Sequence, residues 1–137
     1  MQLGTRLLTL TIDGEEFTAE VSNCRITTAA ADGFVSFADA AAGGKRAYAL
    51  AGTAVQDPAV GTIWDKVYAH AGESFEGVLA PAGGEDPSPA TPHFPISGTI
   101  QESDGDFLGG EADASTTARF TFDFEWPLDG KPLRQTA

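Results

Sequence analysis

Basic residues are scarce in this sequence. Eight Lys and Arg stand against 20 Asp and Glu, a net charge of −12 and a pI near 4.2. Tight binding of nucleic acid needs cations to displace phosphate counterions, so this balance argues against it. It argues equally against docking on an anionic membrane surface. Cysteine occurs once, as Cys24, which rules out an intrachain disulfide and a Cys-based zinc site. Its place in Val21-Ser22-Asn23-Cys24-Arg25-Ile26 is that of a small packing residue beside a strand-like run. Long apolar runs are missing, and none approaches the ~20 residues of a membrane span. The start, Met1-Gln2-Leu3-Gly4-Thr5-Arg6, has no basic patch leading into an apolar stretch. A protein made and kept in a reducing cytoplasm is the expectation.

Apolar residues make up 42% of the 137 positions and charged residues 20%, enough to bury a core, and the length suits one domain over 1–137. Sixteen Gly and eight Pro imply many turns and favour strand over helix. The acid is unevenly spread. Residues 72–130 hold 12 acids and a single base, Arg119, while the remainder is close to neutral. Solubility alone is a sufficient explanation for such an excess.

Strand patterning starts with Leu8, Leu10 and Ile12 and, beyond Asp13-Gly14, continues with Phe17, Ala19 and Val21. Asp-Gly is a strong hairpin signal because the tight turn needs positive φ at both positions. Further strands are expected near Arg25–Thr28, over Gly33–Ala38 with Phe34, Val35 and Phe37, and over Tyr48–Val55. Asp39–Arg46 between them reads as a flexible connector of small residues. One helix is expected over about 58–71, capped by Asp57, opened by Pro58 and stopped by Gly72. Val60, Ile63, Trp64, Val67, Tyr68 and Ala71 form its apolar stripe, with Trp64 and Tyr68 read as core. Ser74–Leu79 and Phe94–Gln101 read as strands flanking a proline-rich loop, and Ala118, Phe120, Phe122, Phe124 and Trp126 alternate along a final core strand. The sum is seven or eight strands and one helix: a mainly β, antiparallel sandwich or barrel.

Chemistry finds little purchase. Gly43-Gly44-Lys45 imitates a phosphate loop but has Asp39 where the first Gly belongs and Arg46 where Ser or Thr belongs. Glu102-Ser103-Asp104-Gly105-Asp106 with Asp113 imitates a calcium loop but puts Phe107 at the glycine position. His70 and His93 lie in no metal-binding or nucleophile spacing. No catalytic residue, cofactor or metal is expected from these patterns.

The order of pieces is familiar. Thr62-Ile63-Trp64-Asp65-Lys66-Val67-Tyr68 leads to a strand and a Gly/Pro-rich loop, and His93-Phe94 then enters Ser97-Gly98-Thr99-Ile100. Gly109-Gly110-Glu111-Ala112, Phe120-Thr121-Phe122-Asp123-Phe124-Glu125-Trp126 and Asp129-Gly130-Lys131-Pro132 follow. Over about residues 60–132 this resembles the major tail tube proteins of long-tailed, siphovirus-type bacteriophages, especially those of actinobacteria.

The resemblance implies a small β-sandwich with one flanking helix. Such proteins form hexameric rings that stack into a tube, with a negative lumen through which double-stranded DNA passes without sticking. It further implies partnership with further copies, with the tape measure and with other tail proteins. It places the protein in the virion tail, after assembly in the host bacterial cytoplasm. A loop between early strands would grip the next ring. Gly43, Gly44, Lys45 and Arg46 match it in position, though the loop here is shorter than the family's, and the 80–93 loop is the other candidate. Glu16, Glu20, Asp123 and Glu125 become candidates for the lumen or for subunit contacts. The rival expectations are a tail terminator, neck or decoration protein, a small-ligand-binding β-barrel, and an acid-dependent hydrolase.

Overall fold

The computed structural model describes residues 2–31 and 33–137. In chain order the elements are β1 (Thr9–Ile12), β2 (Glu15–Glu16), β3 (Val21–Ala30), α1 (Phe37–Ala41), β4 (Arg46–Val55), α2 (Ile63–His70), β5 (Ser74–Ala80), β6 (Phe94–Thr99) and β7 (Thr121–Pro127). The strands form two antiparallel sheets, ordered β2-β1-β5-β6 and β3-β4-β7. The mainly β, antiparallel architecture is as the sequence suggests, and the sheets are not closed into a barrel.

Alternation explains the packing. Leu10 and Ile12 of β1, Phe75 and Leu79 of β5, and Ile96 of β6 are buried from one sheet, and Leu50, Ala54, Phe122, Phe124 and Trp126 from the other. The polar partners Thr121, Asp123 and Glu125 of β7 face out. Each buried aromatic contributes about 1.5–3 kcal/mol before its entropy cost. Trp126 is central, in edge contact with Phe75 across the sheets at 5.1 Å between ring centroids. The sheets meet at Gly98, which bridges to Leu128 just past β7. A Cβ there would lie 2.2 Å from the Pro127 carbonyl oxygen, so only glycine permits the junction.

The Asp13-Gly14 turn forms as expected, with φ of 51° and 83°. The returning strand is shorter than the alternation suggests. Only Glu15 and Glu16 pair with β1, and a turn closed by the Glu20 N–H on the Phe17 carbonyl then redirects the chain into β3. Phe17 still enters the core.

Other expectations are corrected. Gly33–Ala38 is not a strand, and the 39–46 connector is not featureless. Ser36 caps α1 in a reciprocal capping box with Asp39, and the alanines that follow favour helix. Among the described residues there are therefore two helices, not one. The longer helix does not start at Pro58: Thr62 is its N-cap and Ile63 its first residue. Gly61 adopts φ 89°, a left-handed conformation that cannot belong to a right-handed helix. Val60 therefore precedes the helix and falls out of its phase, leaving Ile63, Trp64 and Val67 as the buried stripe. Tyr68 is not core either. It is 69% exposed and stacks on the outer side of Trp64, centroids 5.2 Å apart, while Phe107 covers the indole at 4.7 Å. The final strand begins at Thr121, so Ala118 and Phe120 lie outside it.

Candidate functional site

β3 and β4 pair along their whole length, from Val21 with Ala54 to Ala30 with Arg46. Beyond the last pair, residues 31 and 33–45 form an arm at the end of the three-stranded sheet. Ala31 N–H donates to the Lys45 carbonyl and closes its base. At its tip Gly43 and Gly44 have φ of 98° and 88° and return the chain from α1, with Gly44 N–H donating to the Asp39 carbonyl at 2.7 Å.

The structure thus gathers Gly43, Gly44, Lys45 and Arg46 on one arm. The Lys45 ammonium lies 3.6 Å from Asp39 Oδ2, and Arg46 Nε donates to Thr28 Oγ1. The Asp39 carboxyl is held below its ordinary value, chiefly by the Ser36 backbone N–H, then by the Ser36 hydroxyl, with Lys45 adding to both. Sequence reasoning missed Phe34, Val35 and Phe37, which are exposed on this arm. No residue of α1 is buried. The missed signal was local: Ser36-x-x-Asp39 ahead of Ala40-Ala41-Ala42 is a capping-box pattern.

The four candidate acids do not form one cluster. Asp123 and Glu125 share the outer face of β7. Thr53 donates its hydroxyl to Asp123 Oδ1 at 2.7 Å. The register sets Arg25, Ala51 and Glu125 in one row across the three strands, and Asn23, Thr53 and Asp123 in the next. This face lines a groove of about 550 Å³, floored by Ala47, Ala49 and Ala51 and edged by Arg25, Glu102 and Glu125. Glu16 lies on the other sheet, exposed on β2, and accepts the Thr18 hydroxyl. Glu20 has a structural contact: Ile63 N–H donates to its Oε1 at 3.0 Å, at the start of α2.

At the opposite end of β4 from the arm, Gln56 fastens the segment that precedes β7. Its Nε2 donates to the carbonyls of Gly109 and Thr121, and its Oε1 accepts Gly109 N–H at 2.6 Å. Glu111, Asp113 and Arg119 surround a hollow beside it.

Both histidines make structural contacts. His70 Nδ1 lies 2.6 Å from Glu73 Oε2 at the surface. His93 is buried, with Nε2 3.3 Å from the Gly83 carbonyl oxygen and its backbone paired to Gln135. Burial raises the Cys24 thiol to about 11. Among the described residues no three His, Cys, Asp or Glu side chains converge as a metal cluster, and no helix is long and apolar enough to cross a membrane. No family model matches the chain, and no curated protein or solved structure is significantly similar to it.

Proposed function

We propose that this protein is a structural virion component, a major tail tube subunit that assembles into stacked hexameric rings around a DNA conduit. In this reading it has no catalysis and no cofactor, resides in the virion tail, and is assembled in the host cytoplasm. Its partners are further copies of itself, the tape measure and other tail proteins.

The observation that carries the reading is the arm of residues 31 and 33–45, which presents the exposed apolar side chains of Phe34, Val35 and Phe37 and buries no residue of α1. Isolated exposed apolar residues are ordinary on protein surfaces, but three within four positions mark an interaction surface. Two further features support it. β3, ten residues long, is an edge strand that pairs with β4 on one side only among the described residues, and its other edge is a template for pairing that an assembling protein can use between copies. The −12 charge suits a wall that must not hold phosphate, within the ~8 Å reach of unscreened charge at physiological salt. The outward acids Asp123 and Glu125 are lumen or subunit-contact residues in this reading, and Gly43, Gly44, Lys45 and Arg46 belong to the inter-ring arm and its junction with β4.

Negative-stain images of the purified protein test the proposal. Hollow tubes or hexameric rings are expected. Assembly that stops at a single ring transfers the protein to the terminator reading, and a lone monomer with an apolar ligand in its body transfers it to the small-ligand reading.

A further inference from the structure

We propose that the outer face of the four-stranded sheet binds a linear aliphatic polyamine, in a groove that runs from the Asp13-Gly14 turn to the loop after β5. The site goes beyond the assembly reading above and does not depend on it.

The register builds the floor. Glu16, Thr11, Val78 and Pro95 stand in one row across β2, β1, β5 and β6, with Thr9 and Ala80 in the next. Their neighbours Leu10, Ile12, Leu79 and Ile96 are buried in the core, so these rows look away from it. The chain then turns over the face. Gly83 N–H donates to the Ala80 carbonyl, and Gly83 and Gly84 take φ of 71° and 88°, which brings Glu85 to the rim. Two hollows result, of about 700 and 520 Å³, and both reach Thr11 and Val78. They make one groove, with Glu76 in the larger hollow and Glu16, Glu85 and His93 in the smaller.

His93 is the informative residue. It is 6% exposed, and a buried imidazole needs partners for both nitrogens. A carbonyl oxygen only accepts, so the contact with Gly83 places the proton on Nε2. Nδ1 is thereby an acceptor, and it has no hydrogen-bond partner among the described residues. The buried side chain that lines the smaller hollow therefore carries an unused lone pair.

The surrounding charges agree. Glu16, Glu76 and Glu85 have no ion pair among the described residues, whereas Asp13 beside them is held by Lys66 at 3.5 Å. Lys131 is the one base among the described residues that line either hollow. The carboxylates and Nδ1 accept and do not donate, which matches an ammonium group, a donor with no acceptor. Among the described residues they do not gather as a metal cluster. Glu76 precedes Ala80 by four positions on β5, which sets the two ends of the groove roughly 13 Å apart. Separated acceptors above Val78 and Pro95 fit ammonium groups spaced along an aliphatic chain, with its methylenes on the apolar floor.

The test is calorimetric titration of the full chain with spermidine at physiological salt, alongside nitrogen-15 spectra of its histidines. Spermidine is expected to bind one to one, at least about tenfold tighter than trilysine, a peptide of equal charge whose ammonium groups hang from a flexible backbone. The His93 Nδ1 resonance should move as it accepts a hydrogen bond, while Nε2 stays. Glu76→Gln with Glu85→Gln, both at exposed positions, should weaken binding at least about tenfold. Asp106→Asn with Glu111→Gln removes the same charge at exposed positions outside the groove and should leave the affinity within about twofold.

Equal weakening by the two double variants would reduce the binding to net charge and overturn the site. Trilysine that binds as tightly as spermidine would assign the groove to lysines of a protein partner and also overturn it, as would a titration that never saturates. None of these outcomes bears on whether the chain forms tubes.

Discussion

Glu20 Oε1 accepts the backbone N–H of Ile63 at 3.0 Å, joining the turn before β3 to the first residue of α2 across 43 positions of sequence. The carboxylate satisfies one of the amide donors left open at a helix start and sits at the positive end of the helix dipole. Thr62 satisfies a second, through its hydroxyl and Asp65 N–H. Glu20→Ala is expected to cost about 1 kcal/mol, read as a lower urea midpoint with an unchanged slope. Glu16→Ala, at an exposed position on β2, is the matched control and should stay within about 0.5 kcal/mol of wild type.

Gly98 is the contact point of the two sheets. A Cβ there meets the Pro127 carbonyl oxygen at 2.2 Å and the Leu128 Cα at 2.9 Å, both backbone atoms that cannot rotate away. Gly98→Ala is expected to cost about 3 kcal/mol or to prevent folding. Gly130→Ala, where a Cβ meets open space, should change the thermal midpoint little.

Gln56 is the clasp for the segment before β7, with three side-chain hydrogen bonds to Gly109 and Thr121. Gln56→Ala should cost about 2 kcal/mol. The diagnostic readout is local: amide exchange should speed up across 109–120, while the amides of β1 and β5 stay protected.

Two titrations have fixed directions. Asp39 is held low by Ser36, so the charged carboxylate is favoured in the folded arm. Its contribution is present above the ordinary carboxylate range and is lost as pH falls through the lowered value. Ser36→Ala should raise the Asp39 titration midpoint toward the ordinary value, measured by carboxyl NMR.

Cys24 runs the other way. Burial raises its thiol from 9.0 to about 11, so the neutral form is favoured in the fold. That contribution is present below pH 9 and fades as pH rises toward 11, because the unfolded chain loses the proton first. Alkylation of the native protein at pH 8 should be slow, and unfolding in urea should accelerate it at least tenfold.

Much of the fold is legible because its signals are local. Asp13-Gly14 dictates its turn, and the alternation through Phe122, Phe124 and Trp126 dictates which face of β7 is core. The misreadings have equally local causes. Phe34, Val35 and Phe37 carry strong strand propensity, yet Ser36 and Asp39 cap a helix among them. Asp57-Pro58 imitates a helix start, and the left-handed Gly61 delays it by five residues. The contacts of the candidate acids were not legible, because they depend on pairings distant in sequence: Glu20 with Ile63, and Asp123 with Thr53 across 70 positions. Exposure of the arm follows from β3 and β4 pairing out to Ala30 and Arg46, a register that composition does not encode.

The central claim is self-assembly, and sedimentation velocity of the purified chain over a wide concentration range tests it most directly. The account predicts that the 14.2 kDa subunit gives way, as concentration rises, to a hexamer and then to long, fast-sedimenting particles. A single species of monomer mass at every concentration would contradict it.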